Sequence, residues 1–131
     1  MCNTTALVRA LALRNIWVVF EQPSGSCARK TPTMMDLSVD LGLELVITWM
    51  IHFNHPMPKC THLWGNMPTL RRLRRTWHGK DVTPAKYIRK QKNGKVSGGP
   101  KLHESAGYTA EFAMHLLAAW EVARSFEIDS V

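Results

Sequence analysis

Cysteine is scarce in this 131-residue chain: Cys2, Cys27 and Cys60, an odd number at irregular spacing. That excludes a disulfide framework and suits a reducing compartment, so the expected location is cytoplasmic or nuclear. Long hydrophobic runs are lacking too. The longest, residues 45–53, is broken by Thr48 and His52 and falls far short of the roughly 20 residues that a membrane helix needs. No membrane partner is expected. Residues 1–20 contain no acid, a trait of transit peptides, but Arg9 and Arg14 interrupt the stretch where a secretory leader would be continuously apolar. A core-packing helix accounts for them better. Also missing are Gly-x-Gly-x-x-Gly, a glycine-rich loop ending in Lys-Ser/Thr, and His-Glu-x-x-His, which removes the usual nucleotide cradles and one common zinc signature.

Acid is rare in one further stretch, and there the missing charge is matched by an excess of the other sign. Residues 71–103 hold eleven of the seventeen Lys/Arg and only Asp81 among the ten acids, a local balance of +10. The remainder carries six bases and nine acids, so the formal net charge of +7 is entirely regional. Such asymmetry points to a polyanionic or acidic partner. Hydrophobic content of 45% and charged content of 21% describe a folded chain, long enough for one domain with a real core.

Along residues 1–131, read as a single domain, the pattern alternates. Residues 3–13 form a helix with Leu7, Val8 and Leu11 at helical spacing. Residues 16–20 are a continuous apolar, β-branched and aromatic run bounded by Glu21-Gln22-Pro23, the form of a strand buried on both faces. Thr31-Pro32 starts a helix through residue 41, with Gly42 as its stop. Residues 45–50 repeat the strand pattern, and residues 61–64 suit a third. Helix, strand, helix, strand suggests βαβ units. Residues 68–77 read as an amphipathic helix, with Leu70, Leu73 and Trp77 on one side. Residues 78–104 predict a mobile basic hairpin or inserted loop, with Lys92-Asn93-Gly94-Lys95 as its turn. Thr109 caps a closing helix to about residue 126, with a stripe of Phe112, Leu116, Trp120 and Ala123.

Three residue sets bear on chemistry. Arg71, Arg72, Arg74 and Arg75 fan over the polar side of the 68–77 segment, and Lys80, Lys86, Arg89, Lys90, Lys92, Lys95 and Lys101 follow. Guanidinium forks suit phosphate oxygens, and Trp77 and Tyr87 are placed for base stacking. The plainer reading is a solvated basic surface. His52, His55, Cys60 and His62 supply four soft ligands within eleven residues, but they match no common finger spacing, and strand-end histidines with a buried cysteine explain them equally. No metal site is expected. Cys27 follows Ser24-Gly25-Ser26 in a loop after a strand, without a nearby base, so no nucleophilic catalysis is assigned to it. Glu21, at the carboxyl end of a buried strand, is better placed for a ligand.

Trp17-Val18-Val19-Phe20-Glu21-Gln22-Pro23, followed by Lys59, Thr61, Leu63, Trp64 and Asn66, resembles the C-terminal half of small DNA cytosine methyltransferase-like proteins, of the kind found in phages and unicellular algae. There a Trp-Val-Val-Phe strand ends in Glu-Asn-Pro, and Lys-Pro-Thr precedes an apolar strand and an asparagine. Gly107-Tyr108-Thr109 is similar to that family's closing segment. The likeness spans residues 15–120 on about a dozen positions. It implies that Glu21 matches the carboxylate holding the target base, and that residues 71–103 stand where the family carries its DNA-recognition insert. Gln22 and Cys60 depart from the family's Asn and Pro. Its loop for S-adenosylmethionine and its Pro-Cys nucleophile have no counterpart in these residues, so no cofactor is expected unless a separate N-terminal half supplies that donor.

The expected fold is therefore α/β, a short and mainly parallel sheet flanked by helices, with a basic hairpin or loop. The expected function is that of a partial methyltransferase-like domain, not catalytic alone, that binds nucleic acid through Arg71, Arg72, Arg74, Arg75, Lys80, Arg89, Lys90, Lys92 and Lys95. Two alternatives stand beside it: a module that meets an acidic protein, and one half of a split methyltransferase. An unpaired sheet edge would invite a partner chain.

Overall fold

The computed structural model describes residues 3–79, 88–90, 92–94, 96–98 and 107–129. Chain order is α1 (Asn3–Leu13), β1 (Val19–Pro23), α2 (Pro32–Leu41), β2 (Glu44–Trp49), β3 (Cys60–Gly65), β4 (Ile88–Lys90), β5 (Val96–Gly98) and α3 (Ala110–Asp129), with 3-10 turns at Ala28–Lys30, Met50–Phe53 and Leu70–Leu73. Of β4 and β5 the backbone alone is described.

Local chemistry sets the helix ends. In α1 the chain leaves the helix through Asn15, whose φ of 58° is left-handed. Ile16 N–H bonds to Leu11 O and Asn15 N–H to Ala12 O, which together satisfy the last carbonyls as a Schellman motif does. Its buried residues are Thr5 and Val8, while Leu7 faces solvent, so the expected stripe is rotated. Helix α2 stops as read from the sequence: Gly42 takes φ 62°, where a side chain would be strained. Thr31 precedes Pro32 as expected, but its hydroxyl donates backwards to Ala28 O at 2.9 Å and caps nothing. In α3 the expectation of Thr109 as cap holds, with Phe112 N–H donating to its hydroxyl oxygen at 3.2 Å.

The mainly parallel sheet expected from the sequence is not what forms. Strand order is β1-β3-β2, and β3 is antiparallel to both neighbours. Strands β1 and β2 run the same way, as a helical crossover between them requires, but they never touch. The ten residues between Trp49 and Cys60 double back through the Met50–Phe53 turn and insert β3 between them. Apolar runs at residues 16–20 and 45–50 suit strands covered on both faces, as in a parallel sheet. Strands β1 and β2 are instead edge strands, with Leu45 and Ile47 of β2 exposed, and the strand covered on both faces is the antiparallel β3, with Thr61, Leu63, Trp64 and Gly65 all buried.

Strand β1 also begins three residues later than expected and runs through Glu21-Gln22-Pro23, the segment read as its boundary. Asn66 fixes this register: its side-chain oxygen accepts Val18 N–H at 2.7 Å, and its own N–H donates to Val18 O at 3.1 Å. Gly65 lies against the same carbonyl so closely that a β-carbon there would overlap it. Proline is tolerated at Pro23 because it ends an edge strand.

Two layers cover the sheet. One face presents Val46 and Leu63 to Met50, Phe53, Met67, Leu70, Leu73 and the α3 residues Phe112, Ala119 and Ala123, which form the core. The other carries Phe20 stacked on Trp64, ring centroids 4.5 Å apart. Trp120 is 40% exposed. The α3 stripe is Phe112, Leu116, Ala119 and Ala123 rather than the one with Trp120, because small alanines let the helix lie close and Thr69 donate its hydroxyl to Ala119 O. The expected 68–77 helix is corrected as well. Only Leu70–Leu73 turns, and Arg74 is extended at φ −63°, ψ 127°. Leu70 and Leu73 are both fully buried, and a 3-10 turn eclipses residues three apart, so one tight turn buries both.

Candidate nucleic-acid interface

The arginines sit where they do because the leucines between them are in the core. Burying Leu70 and Leu73 is worth roughly 2 kcal/mol each, against a few tenths for like charges crowded on an exposed turn. The guanidiniums are thereby pushed outward, in three different states. Arg72 and Arg74 are exposed and meet no carboxylate among the described residues. Arg71 is exposed too, and its Nε donates to Glu44 Oε1. Arg75 is half-buried. Its Nη1 donates to the carbonyls of Arg72 and Arg74 at 2.8 Å each, and its guanidinium lies 5.2 Å from the Phe53 ring centroid. Arg75 therefore braces the turn from within, leaving two open cations and one paired one.

Trp77 is not placed as a stacking platform. Its ring fills the space where Gly79 would carry a β-carbon, its indole nitrogen is buried without a partner among the described residues, and the His52 ring meets it edge-on at 6.0 Å. Tyr87, Lys80, Lys86, Lys95 and Lys101 lie outside the described residues, as does most of the insert expected at 78–104. Arg89 and Lys90 stand on β4, whose pairing Lys90↔Val96 and Ile88↔Gly98 forms the expected hairpin. Lys92 is exposed on its loop, and Gly94 turns the chain at φ 80°. The described part of the connection, residues 92–94, contains the Asn93-Gly94 pair read as the turn.

A second cluster forms around Glu21. Its carboxylate accepts a hydrogen bond from the Tyr108 hydroxyl, and burial first, then that bond and the carboxylate's charge, hold the phenol well above its ordinary value of 10.0. The Lys59 ammonium lies 5.1 Å over the Tyr108 ring, and Lys59 itself is held left-handed at φ 40°. Sequence reasoning found Glu21 but missed that Tyr108 and Lys59 join it. The only available signal was their membership of the same family-like pattern.

The histidines and cysteine of residues 52–62 diverge. His52 Nε2 lies 2.6 Å from Thr76 O, and His55 Nδ1 lies 3.0 Å from Met57 backbone atoms. His62 is on the Trp64 side of β3, where burial and then the charge of Arg29 lower its pKa. Among the described residues no three His, Cys, Asp or Glu side chains converge as a metal set. Cys27 is exposed and free, just before the Ala28–Lys30 turn.

No described helix is long and apolar enough to cross a membrane. Comparison with protein-family models, with curated proteins and with solved structures finds no match.

Proposed function

We propose that this chain is a non-catalytic nucleic-acid-binding module that contacts the phosphate backbone through the Leu70–Leu73 turn and its continuation. The observation that carries the reading is the orientation of Arg72 and Arg74: both guanidiniums are exposed on a turn whose leucines are anchored in the core. A fixed turn presenting open forks contacts phosphates at low conformational cost. Arg71 and Lys92 add to it, and the regional balance of +10 over residues 71–103 supplies the long-range attraction. With Trp77 packed away, contact is to phosphates and blind to sequence. Salt-series binding to a random duplex tests this. Replacing Arg72 and Arg74 by alanine should flatten the slope of log affinity against log salt by about 2. An unchanged slope refutes the reading.

A second reading is favoured by Glu21. It lies on β1, a sheet edge whose outer side is unpaired among the described residues, beside an apolar groove of about 390 Å³ lined by Trp17, Val19, Met67, Leu116, Leu117 and Trp120. A separate methyltransferase half could add a strand there and bring S-adenosylmethionine with it, with Glu21 released from Tyr108 to meet the base. Methylation of duplex DNA by a mixture of the two halves tests it. A mixture that stays inactive, or that works equally with Glu21→Ala, counts against it.

A further inference from the structure

We infer that Glu44 regulates the proposed interface as an internal competitor for Arg71, holding back one phosphate contact until a polyanion displaces it. This rests on the reading of the Leu70–Leu73 turn as a phosphate-binding surface.

Glu44 is the first residue of β2, on the same sheet face as Val46 and hence facing the turn. Its carboxylate takes the inward Nε–H of Arg71, while no terminal nitrogen of Arg71 has a partner among the described residues. The pair is open to water: the side chains are 76% and 39% exposed. Exposed pairs of this kind are held weakly and yield to a stronger anion. A phosphate offers more acceptor oxygens than the single one Glu44 uses, and a fork to receive it is ready on the outward side of Arg71. Until the carboxylate moves, its charge sits beside the incoming phosphate and opposes it.

The other arginines differ in ways that leave this role to Arg71. Arg75 is committed to two carbonyls of its own turn, and a phosphate would have to unmake the turn to recruit it. Arg72 and Arg74 face no carboxylate among the described residues. The other described ion pair, Arg9–Asp40 at 2.8 Å, joins α1 to α2 and so has a bracing role. Glu44 and Arg71 instead tie a strand to a turn that Leu70 and Leu73 already anchor.

The test uses the full chain, a random-sequence DNA duplex as probe, and a salt series. Glu44→Gln should bind roughly three- to tenfold tighter at low salt, with a slope steeper by up to about 0.9, because no displaced carboxylate is left to retain a cation beside the phosphate. Glu44→Ser, which removes the same charge with a different side chain, should behave alike. Asp36→Asn changes net charge equally from an exposed position on α2 and should leave the slope unchanged. Adding Arg71→Ala to Glu44→Gln should abolish the gain. The inference is overturned if Glu44→Gln and Asp36→Asn act alike, or if the gain survives loss of Arg71. Should the unsubstituted chain bind without salt dependence, or ignore loss of Arg72 and Arg74, the underlying reading fails as well.

Discussion

Thr48 and Thr61 face each other across β2 and β3, and both are fully buried. Thr61 donates its hydroxyl to Lys59 O at 3.3 Å, whereas the Thr48 hydroxyl has no partner among the described residues. An unanswered buried hydroxyl costs about 1–3 kcal/mol, and an apolar group of the same shape removes that cost. Thr48→Val is therefore expected to raise stability by about 1 kcal/mol, read as a higher denaturation midpoint. Tyr108 carries the clearest pH dependence. Its folded pKa lies above the unfolded 10.0, so the folded state holds its proton where the unfolded state has released it. That contribution is complete below pH 10 and is lost as pH rises through the folded pKa. Ultraviolet phenolate absorbance should show one tyrosine titrating late, and Glu21→Gln should bring it back toward the ordinary range. A late titration that Glu21→Gln leaves unchanged would contradict the Glu21–Tyr108 bond.

Elements were legible where capping chemistry wrote them and less so where only apolar spacing did. The limits of α1 and α2 agree with Asn3, Pro32 and Gly42 as read, and α3 opens at Thr109 as read. The sequence gives Thr31 and Thr109 the same role, but the structure separates them: Thr109 accepts the Phe112 N–H and donates to Phe53 O, while Thr31 caps nothing. Thr109→Ala should thus cost about 1 kcal/mol or more, and Thr31→Ala only a few tenths. Chemical denaturation of the two variants decides it, and equal losses would contradict the caps. The 68–77 segment shows the limit of spacing. Leu70 and Leu73 are three apart, which suits an α-helix and a 3-10 turn alike. Trp77 settles it by packing with His52 and Gly79, away from any continuing helix face.

For the whole molecule, order along the chain did not give order in the sheet. The outer edge of β2 is unpaired among the described residues, and Leu45 and Ile47 beside it are 37% and 40% exposed. An edge of six residues without lysine, proline or bulge is poorly protected against pairing with another chain. Concentrated solutions should scatter light increasingly with concentration. Ile47→Lys should suppress this without changing the circular dichroism, and scattering that ignores the lysine would exclude β2 as the sticky edge. The regional charge, the limits of α1 and α2 and the outward side of Arg72 and Arg74 follow from the sequence alone, since each depends on neighbours within a few residues. The place of β3 between β1 and β2, the joining of Glu21 to Tyr108 and Lys59, and the division of four arginines into braced, paired and open were decided by tertiary structure. Each depends on which distant backbone or carboxylate lies within reach of a side chain, and local pattern carries no record of that distance.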